Sequence, residues 1–341
     1  MDQFLSEVYG QEKIKKELWH LFKDHRVPHT MIFYGDEGLG KTTAALSLAG
    51  TLTGASADIG TEILKWEESQ SSVPVLTAAN EHIWYLRPLG MELKIDQFRF
   101  FMNAMSSFDA SAHVCIIDEA QTMMPAVANS LLKTLEEPAE NLYFILITHD
   151  INALLPTIVS RGERFSFFPL SRAEFHQLAS SDLKKYHFNE SLTEEIVFQL
   201  SEGNPGIALE LCNETGVSQP DTAMKFWEIL TCDNEPFSSL SRWNFKERKE
   251  FLQMLRWILY IGRDLMIVFE APEENLERCF QVLDREKRLA PFWNDNRAAA
   301  AIDVLKKAEA ACRRYISIKN IWDMVIIELS HIQKGDYTWN R

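Results

Sequence analysis

The sequence is short of positive charge. Its 35 lysines and arginines face 49 aspartates and glutamates, a formal net charge of −14. That balance argues against an extended surface that grips nucleic acid by neutralising phosphates. Long hydrophobic runs are missing too, since no apolar stretch reaches the roughly 18–20 residues a membrane span needs. The opening Met1-Asp2-Gln3-Phe4-Leu5 lacks the basic and apolar regions of a secretory signal, so the expected location is cytoplasmic. Cysteine is sparse and scattered. Cys115, Cys212, Cys232, Cys279 and Cys312 contain no C-x-x-C pair, which leaves no usual zinc spacing and no disulfide framework. Buried, reduced thiols are expected. No internal repeat or low-complexity tract is present.

What the chain does have is core. With 341 residues, 46% of them hydrophobic, it is too long for one ordinary domain, and two or three are expected. Residues from Phe4 to His25 carry apolar positions at helical spacing, with Val8-Tyr9-Gly10-Gln11 ahead of the helix proper. Thr30–Tyr34 reads as a short buried strand closed by a glycine.

Gly35-Asp36-Glu37-Gly38-Leu39-Gly40-Lys41-Thr42 then satisfies G-x-x-x-x-G-K-[ST]. Its glycines let the backbone curl so that amides face phosphate oxygens. Lys41 suits the β- and γ-phosphates and the Thr42 hydroxyl suits magnesium. The following helix, Thr42 to Leu52, directs its positive end at the same anion. Strand, loop and helix fall in the order the chemistry needs, so ATP with Mg2+ is the expected cofactor.

Residues Thr53 to Ala79 are polar and irregular. His82–Leu86 looks like a second strand, and a helix from about Ile95 to Met105 sets Ile95, Phe98, Met102 and Met105 on one core-facing side. Val114–Ile117 is a third strand ending in Asp118-Glu119. Acids there also suit a helix N-terminus, but downstream of a P-loop they read as a magnesium-shell carboxylate, Asp118, and a water-orienting one, Glu119. A helix from Pro125 stops at Pro138 and turns Leu131, Leu132 and Leu135 inward. Phe144–Thr148 is a fourth strand. The Thr148 hydroxyl suits either a γ-phosphate sensor or a bond to its own backbone. Phe165–Phe168 supplies a fifth strand.

From Leu170 to about Gly216 the patterns are short helices, with capping boxes at Ser171-x-x-Glu174 and Ser191-x-x-Glu194 and a helix over Ile207–Cys212. After a linker at Gly216–Pro220 the chain is helical again. Phe226, Trp227, Trp257, Tyr260, Phe280, Trp293 and Trp322 form its core, part of which could face other subunits. Lys306-Lys307 and Arg313-Arg314 read as a solvated helix face.

Taken together these motifs resemble the delta-prime subunit of the bacterial DNA polymerase III clamp loader, in the AAA+ class. The resemblance is carried by Arg26-Val27-Pro28-His29, the P-loop, Lys94–Arg99, Asn129-x-Leu131-Leu132-Lys133-Thr134-Leu135-Glu136-Glu137-Pro138 and Leu155–Arg161, chiefly over residues 8–169. It implies a five-stranded parallel P-loop sheet flanked by helices over residues 1–169, a helical lid over 170–216 and a helical collar over 217–341. It implies a nucleotide site built from Val8, Tyr9, Gly35, Gly38, Gly40, Lys41, Thr42, Thr43 and Asp118, with magnesium at Thr42 and Asp118. It also implies a hetero-pentamer with gamma/tau- and delta-type subunits that places the sliding clamp on primed DNA. In that family Ser160-Arg161 begins a Ser-Arg-Cys motif whose arginine reaches the ATP site of the next subunit. Two departures stand out. Gly162 replaces the cysteine, and Gly206 stands where active motors carry a second sensor arginine. The zinc cysteines of many relatives are absent between Thr53 and Ala79, so no zinc site is expected. Nucleotide binding follows; turnover stays open between a stator that lends Arg161 and an active motor of the gamma/tau kind or another remodeller.

Overall fold

The computed structural model describes residues 4–55, 75–78, 82–88, 92–105, 110–181, 183, 193–212, 219–270, 283–313 and 316–335. The chain forms two compact units. The first holds Met1–Leu178 with Asn204–Gly206, and the second Ala179–Gly203 with Ile207–Arg341.

The first unit is an α/β sandwich. Helix α1 (Glu12–Lys23) leads into β1 (Thr30–Tyr34), α2 (Lys41–Thr53), β2 (Val75–Ala78), β3 (Ile83–Leu86), α3 (Ile95–Met105), β4 (His113–Ile117), α4 (Pro125–Glu136), β5 (Leu142–Thr148), α5 (Pro156–Val159) and β6 (Glu163–Ser166). The six strands lie in the order β2-β3-β4-β5-β1-β6. The last five of these are parallel, which gives the expected five-stranded parallel sheet, while β2 runs antiparallel to β3. That sixth strand corrects the reading of the whole 53–79 stretch as irregular. Four residues behind Pro74 are too short a run to show periodicity, and only pairing with β3 reveals them.

A parallel sheet needs cover on both faces, and its strands are correspondingly apolar throughout. Alternate residues part cleanly. Met31, Phe33, Val114, Ile116, Ile145 and Ile147 pack with Ile14 and Leu18 of α1 and Ala45 and Leu48 of α2. Ile32, Cys115, Ile117, Phe144 and Leu146 pack with Phe98 and Phe101 of α3, Val127 and Leu131 of α4 and Ile158 of α5. Strand β6 ends two residues before the sequence pattern, at Ser166, because its partner β1 ends at Tyr34. Phe167 stays buried beyond the strand, whereas Phe168 is 62% exposed.

Helix α6 (Arg172–Ser181) starts with the capping box read from sequence: the Ser171 amide and hydroxyl both donate to Glu174 Oε2, at 2.8 and 2.6 Å. The box proposed at Ser191 lies outside the described residues. Helix α7 (Glu194–Ser201) is capped by Thr193, whose hydroxyl accepts from the Ile196 amide. Helix α8 spans Pro205–Leu211, two residues ahead of its expected start, because proline is favoured in a first helical turn.

The second unit continues with α9 (Gln219–Cys232), α10 (Pro236–Leu240), α11 (Arg248–Glu270), α12 (Leu283–Leu289), α13 (Asp295–Arg313) and α14 (Ile318–Lys334). Its core is aromatic. Trp227 and Trp293 meet edge to face with ring centres 4.7 Å apart, and both are fully buried. Three buried indole N–H groups find acceptors: Trp227 donates to Ile258 O, Trp293 to Thr231 Oγ1 and Trp322 to Leu240 O, all at 2.9 Å. Lys306 and Lys307 are exposed as expected. Phe280 and Arg314 lie outside the described residues. Cys115, Cys212 and Cys312 are buried, but Cys232, at the end of α9, is exposed, which corrects the expectation for it. Among the described residues no helix is long and apolar enough to cross a membrane.

Candidate nucleotide-binding site

Three strands bring the candidate residues to one edge of the sheet. The P-loop leaves β1 after Tyr34, Asp118 follows β4, and β5 lies between them and ends at Thr148. Ligands of open α/β sheets bind outside such carboxyl ends.

Lys41 is nearly buried, and its Nζ donates to Gly35 O at 2.7 Å and to Asp36 O at 2.6 Å. The ammonium thereby braces the loop it sits beneath. Burial lowers its pKa, while the charges of Asp118, Glu37 and Asp36 work the other way. The Thr42 hydroxyl donates to Asp118 Oδ2 at 3.3 Å, so the two expected magnesium ligands adjoin. Asp118 is further fixed by the Tyr85 hydroxyl at 2.5 Å and by the Glu119 amide, which donates to Oδ1 at 2.8 Å. A hydroxyl beside a carboxylate is a hard oxygen set that suits Mg2+, and a lysine-braced glycine loop at a helix N-terminus suits phosphate. The residues present fit magnesium ATP.

Glu119 stands on the exposed rim in a left-handed conformation, φ 48°. Partial burial of its carboxyl, then Asp118 and Glu37, raise its pKa, and Arg87 opposes them. A carboxylate displaced toward neutrality is suited to taking up a proton. Thr148 is fully buried and its hydroxyl is shared: it donates to Gln121 Oε1 at 2.8 Å or Asp150 O at 3.0 Å and accepts from the Asp150 amide at 3.1 Å. Val8 is buried, with its Cγ1 3.7 Å from where a Cβ on Gly40 would lie. Tyr9 and Thr43 are half-buried.

Arg161 lies away from this cradle, in the loop between α5 and β6. Its side chain is 35% exposed and donates to Thr157 O at 2.9 Å and to Glu136 Oε1 at 2.8 Å. The two departures from the family pattern have different surroundings. A Cβ on Gly162 would meet Ile32 Cδ1 and Cγ1 at 2.7 Å and Thr30 Cγ2 at 3.2 Å, all of them side-chain atoms. A Cβ on Gly206 would meet Gly38 Cα at 2.7 Å and Gly38 O at 3.0 Å, and backbone cannot step aside cheaply.

Sequence reasoning missed Tyr85, Gln121 and Asn204. Tyr85 carried a weak signal, a polar-tipped aromatic near the end of the strand beside β4. Asn204 carried none: its Nδ2 donates to Glu37 O at 2.7 Å across 167 positions of sequence.

The sequence profile of a family described as DNA polymerase III, delta subunit, matches residues 10–171. The chain is 27% identical over 274 residues to DNA polymerase III subunit delta' of Bacillus subtilis, covering 78% of this chain and 80% of that protein. It is 27% identical over 208 residues to replication factor C subunit 3 of Schizosaccharomyces pombe, covering 61% of this chain. It is 28% identical over 225 residues to the replication factor C small subunit of Methanococcus maripaludis, covering 64% of each chain. The match spans 55% of the length of the fission-yeast relative. A solved gamma subunit-related protein of DNA polymerase III from Thermotoga maritima aligns with TM-score 0.47 and 14% identity, over 93% of this chain and 99% of its own. Over 78% of its length the chain is similar to a delta-prime subunit, and its P-loop half matches the profile of the DNA polymerase III delta subunit family.

Proposed function

We propose that this chain is a clamp-loader stator: it binds magnesium ATP, turns it over slowly or not at all, and lends Arg161 to the ATP site of a neighbouring motor subunit. The observation that carries this reading is the surface position of Arg161, held by one exposed ion pair and one carbonyl rather than by its own P-loop. Its partners are gamma/tau- and delta-type subunits, and through that assembly the sliding clamp and primed DNA, in the cytoplasm. Residues 1–169 act as the nucleotide-binding domain, 170–216 as a lid and 217–341 as a collar.

In the chain's own site Gly35, Gly38 and Gly40 shape the loop, Lys41 neutralises phosphate, Thr42 and Asp118 hold magnesium, and Thr43, Val8 and Tyr9 border the nucleotide. Bound magnesium ATP supplies the phosphoanhydride whose occupancy the neighbours sense. Glu119 and Thr148 retain the water-orienting and sensing positions. A weakly hydrolysing site is supported by Gly206, where backbone contact leaves no space for a second cationic side chain.

The test compares the chain alone with the chain in its assembly. Alone, it should melt higher with ATP, by about 2.7 kcal/mol at 100 times the dissociation constant, and Lys41→Ala should abolish that gain. Alone it should show negligible turnover; mixed with gamma/tau- and delta-type subunits it should co-purify and support ATPase stimulated by clamp and primed DNA. Brisk hydrolysis by the isolated chain, lost in Glu119→Gln, would favour the motor reading.

A further inference from the structure

Four consecutive carbonyls of the P-loop are engaged by hydrogen-bond donors. Those of Gly35 and Asp36 accept from Lys41 Nζ. The Glu37 carbonyl accepts from Asn204 Nδ2 at 2.7 Å, and the Gly38 carbonyl from the Gly206 amide at 2.9 Å. Every peptide in the described chain is trans, and in a trans peptide the carbonyl of one residue and the amide of the next point in opposite directions. Holding a carbonyl therefore aims the following N–H. Lys41 sets the amides of Asp36 and Glu37; Asn204 and Gly206 set those of Gly38 and Leu39.

The second pair of bonds comes from a remote tripeptide. Asn204-Pro205-Gly206 belongs to the first unit, although the sequence on either side of it belongs to the second. The fit is close from both sides. A Cβ on Gly38, whose φ is 84°, would lie 2.5 Å from Asn204 Oδ1, and one on Gly206 would lie 2.7 Å from Gly38 Cα. Asn204 is itself nearly buried. Pro205, which has no N–H, separates two donors that reach successive carbonyls.

We propose that Asn204 is a positioning residue of the nucleotide loop: with the Gly206 amide it clips the outer carbonyls of Glu37 and Gly38, and so presents the Gly38 and Leu39 amides to phosphate. This rests on the reading that the loop binds nucleotide. It also changes the meaning of Gly206. An arginine installed there would not restore a phosphate sensor; it would prise the clip from Gly38.

The experiment uses the full chain and two readouts. Hydrogen exchange of the 35–40 segment, without nucleotide, reads the clip directly, and titration with a fluorescent Mg-ADP analogue reads its consequence. Asn204→Ala should speed exchange in that segment and weaken the analogue, each by about three- to tenfold, as for one lost hydrogen bond. Asn204→Asp, similar in size but unable to donate to Glu37 O, should do at least as much and serves where the alanine variant folds poorly. Gly206→Arg should weaken the analogue further. A merely structural asparagine would lower the melting temperature while leaving exchange at 35–40 and affinity unchanged, and that result overturns the proposal. If the wild-type chain takes up no analogue, the nucleotide reading fails, and unchanged exchange in Asn204→Ala still decides the clip by itself.

Discussion

At the nucleotide cradle the key polar groups are tied down by several others, whereas Arg161 hangs on the outer surface from a single carboxylate and a single carbonyl. Lys41 has two carbonyls, Asp118 has Thr42, Tyr85 and the Glu119 amide, and the loop has Asn204. The Arg161–Glu136 pair has side chains 35% and 54% exposed. The contrast matches what the proposed function asks of each. A site that receives a phosphate chain gains from groups already aimed, since nothing then has to be ordered on binding. A side chain meant for another molecule must be released cheaply, and an exposed ion pair costs little to exchange.

The largest effect sharpens that contrast with a buried carboxyl that has no hydrogen-bond partner among the described residues. Glu286 of α12 is fully buried, with neither carboxylate oxygen hydrogen-bonded among the described residues. Burial, assisted by Asp264, raises its pKa from 4.5 to about 8. The folded state therefore keeps a proton that the unfolded state releases, so stability is fully present below about pH 4.5 and declines as pH rises toward 8. At roughly 1.4 kcal/mol per unit the decline totals on the order of 5 kcal/mol. Glu286→Gln should abolish that slope in urea melts between pH 5 and 8, leaving the variant the more stable at pH 8. An unaltered slope would show that the carboxyl finds a partner in solution.

Tyr85→Phe comes next. It deletes a hydrogen bond to a carboxylate, for which about 1.5–3 kcal/mol is usual. Urea unfolding should register that loss, with a matching weakening of Mg-ATP over metal-free ATP because Asp118 is freed to turn. Glu136→Gln should be the mildest. Removing an exposed ion pair costs about 0.2–1 kcal/mol, and a melting temperature lowered well beyond that range would mean that Arg161 is structurally anchored and the contrast is false.

How much of this could be read beforehand depended on distance along the chain. The P-loop, the two acids after β4 and the proline-bounded helix α4 are local patterns whose chemistry needs neighbours in sequence, and they fell where expected. Asn204 could not be seen, because its partner is Glu37 and no nearby periodicity marks it. Strand β2 exists by pairing alone. Thr193 caps its helix without a capping-box pattern to announce it, since several hydroxyls precede the same apolar run and only the backbone chooses among them. The tryptophans of the second unit announced a core, but which indole meets which carbonyl is a matter of packing between helices far apart in sequence.

The account stands or falls on where Arg161 acts. Reconstituted with gamma/tau- and delta-type subunits, clamp and primed DNA, Arg161→Ala should assemble normally and melt within about 1 kcal/mol of wild type, while assembly ATPase falls by about 10³–10⁵-fold. Hydrolysis at the wild-type rate in a correctly assembled Arg161→Ala complex would contradict it.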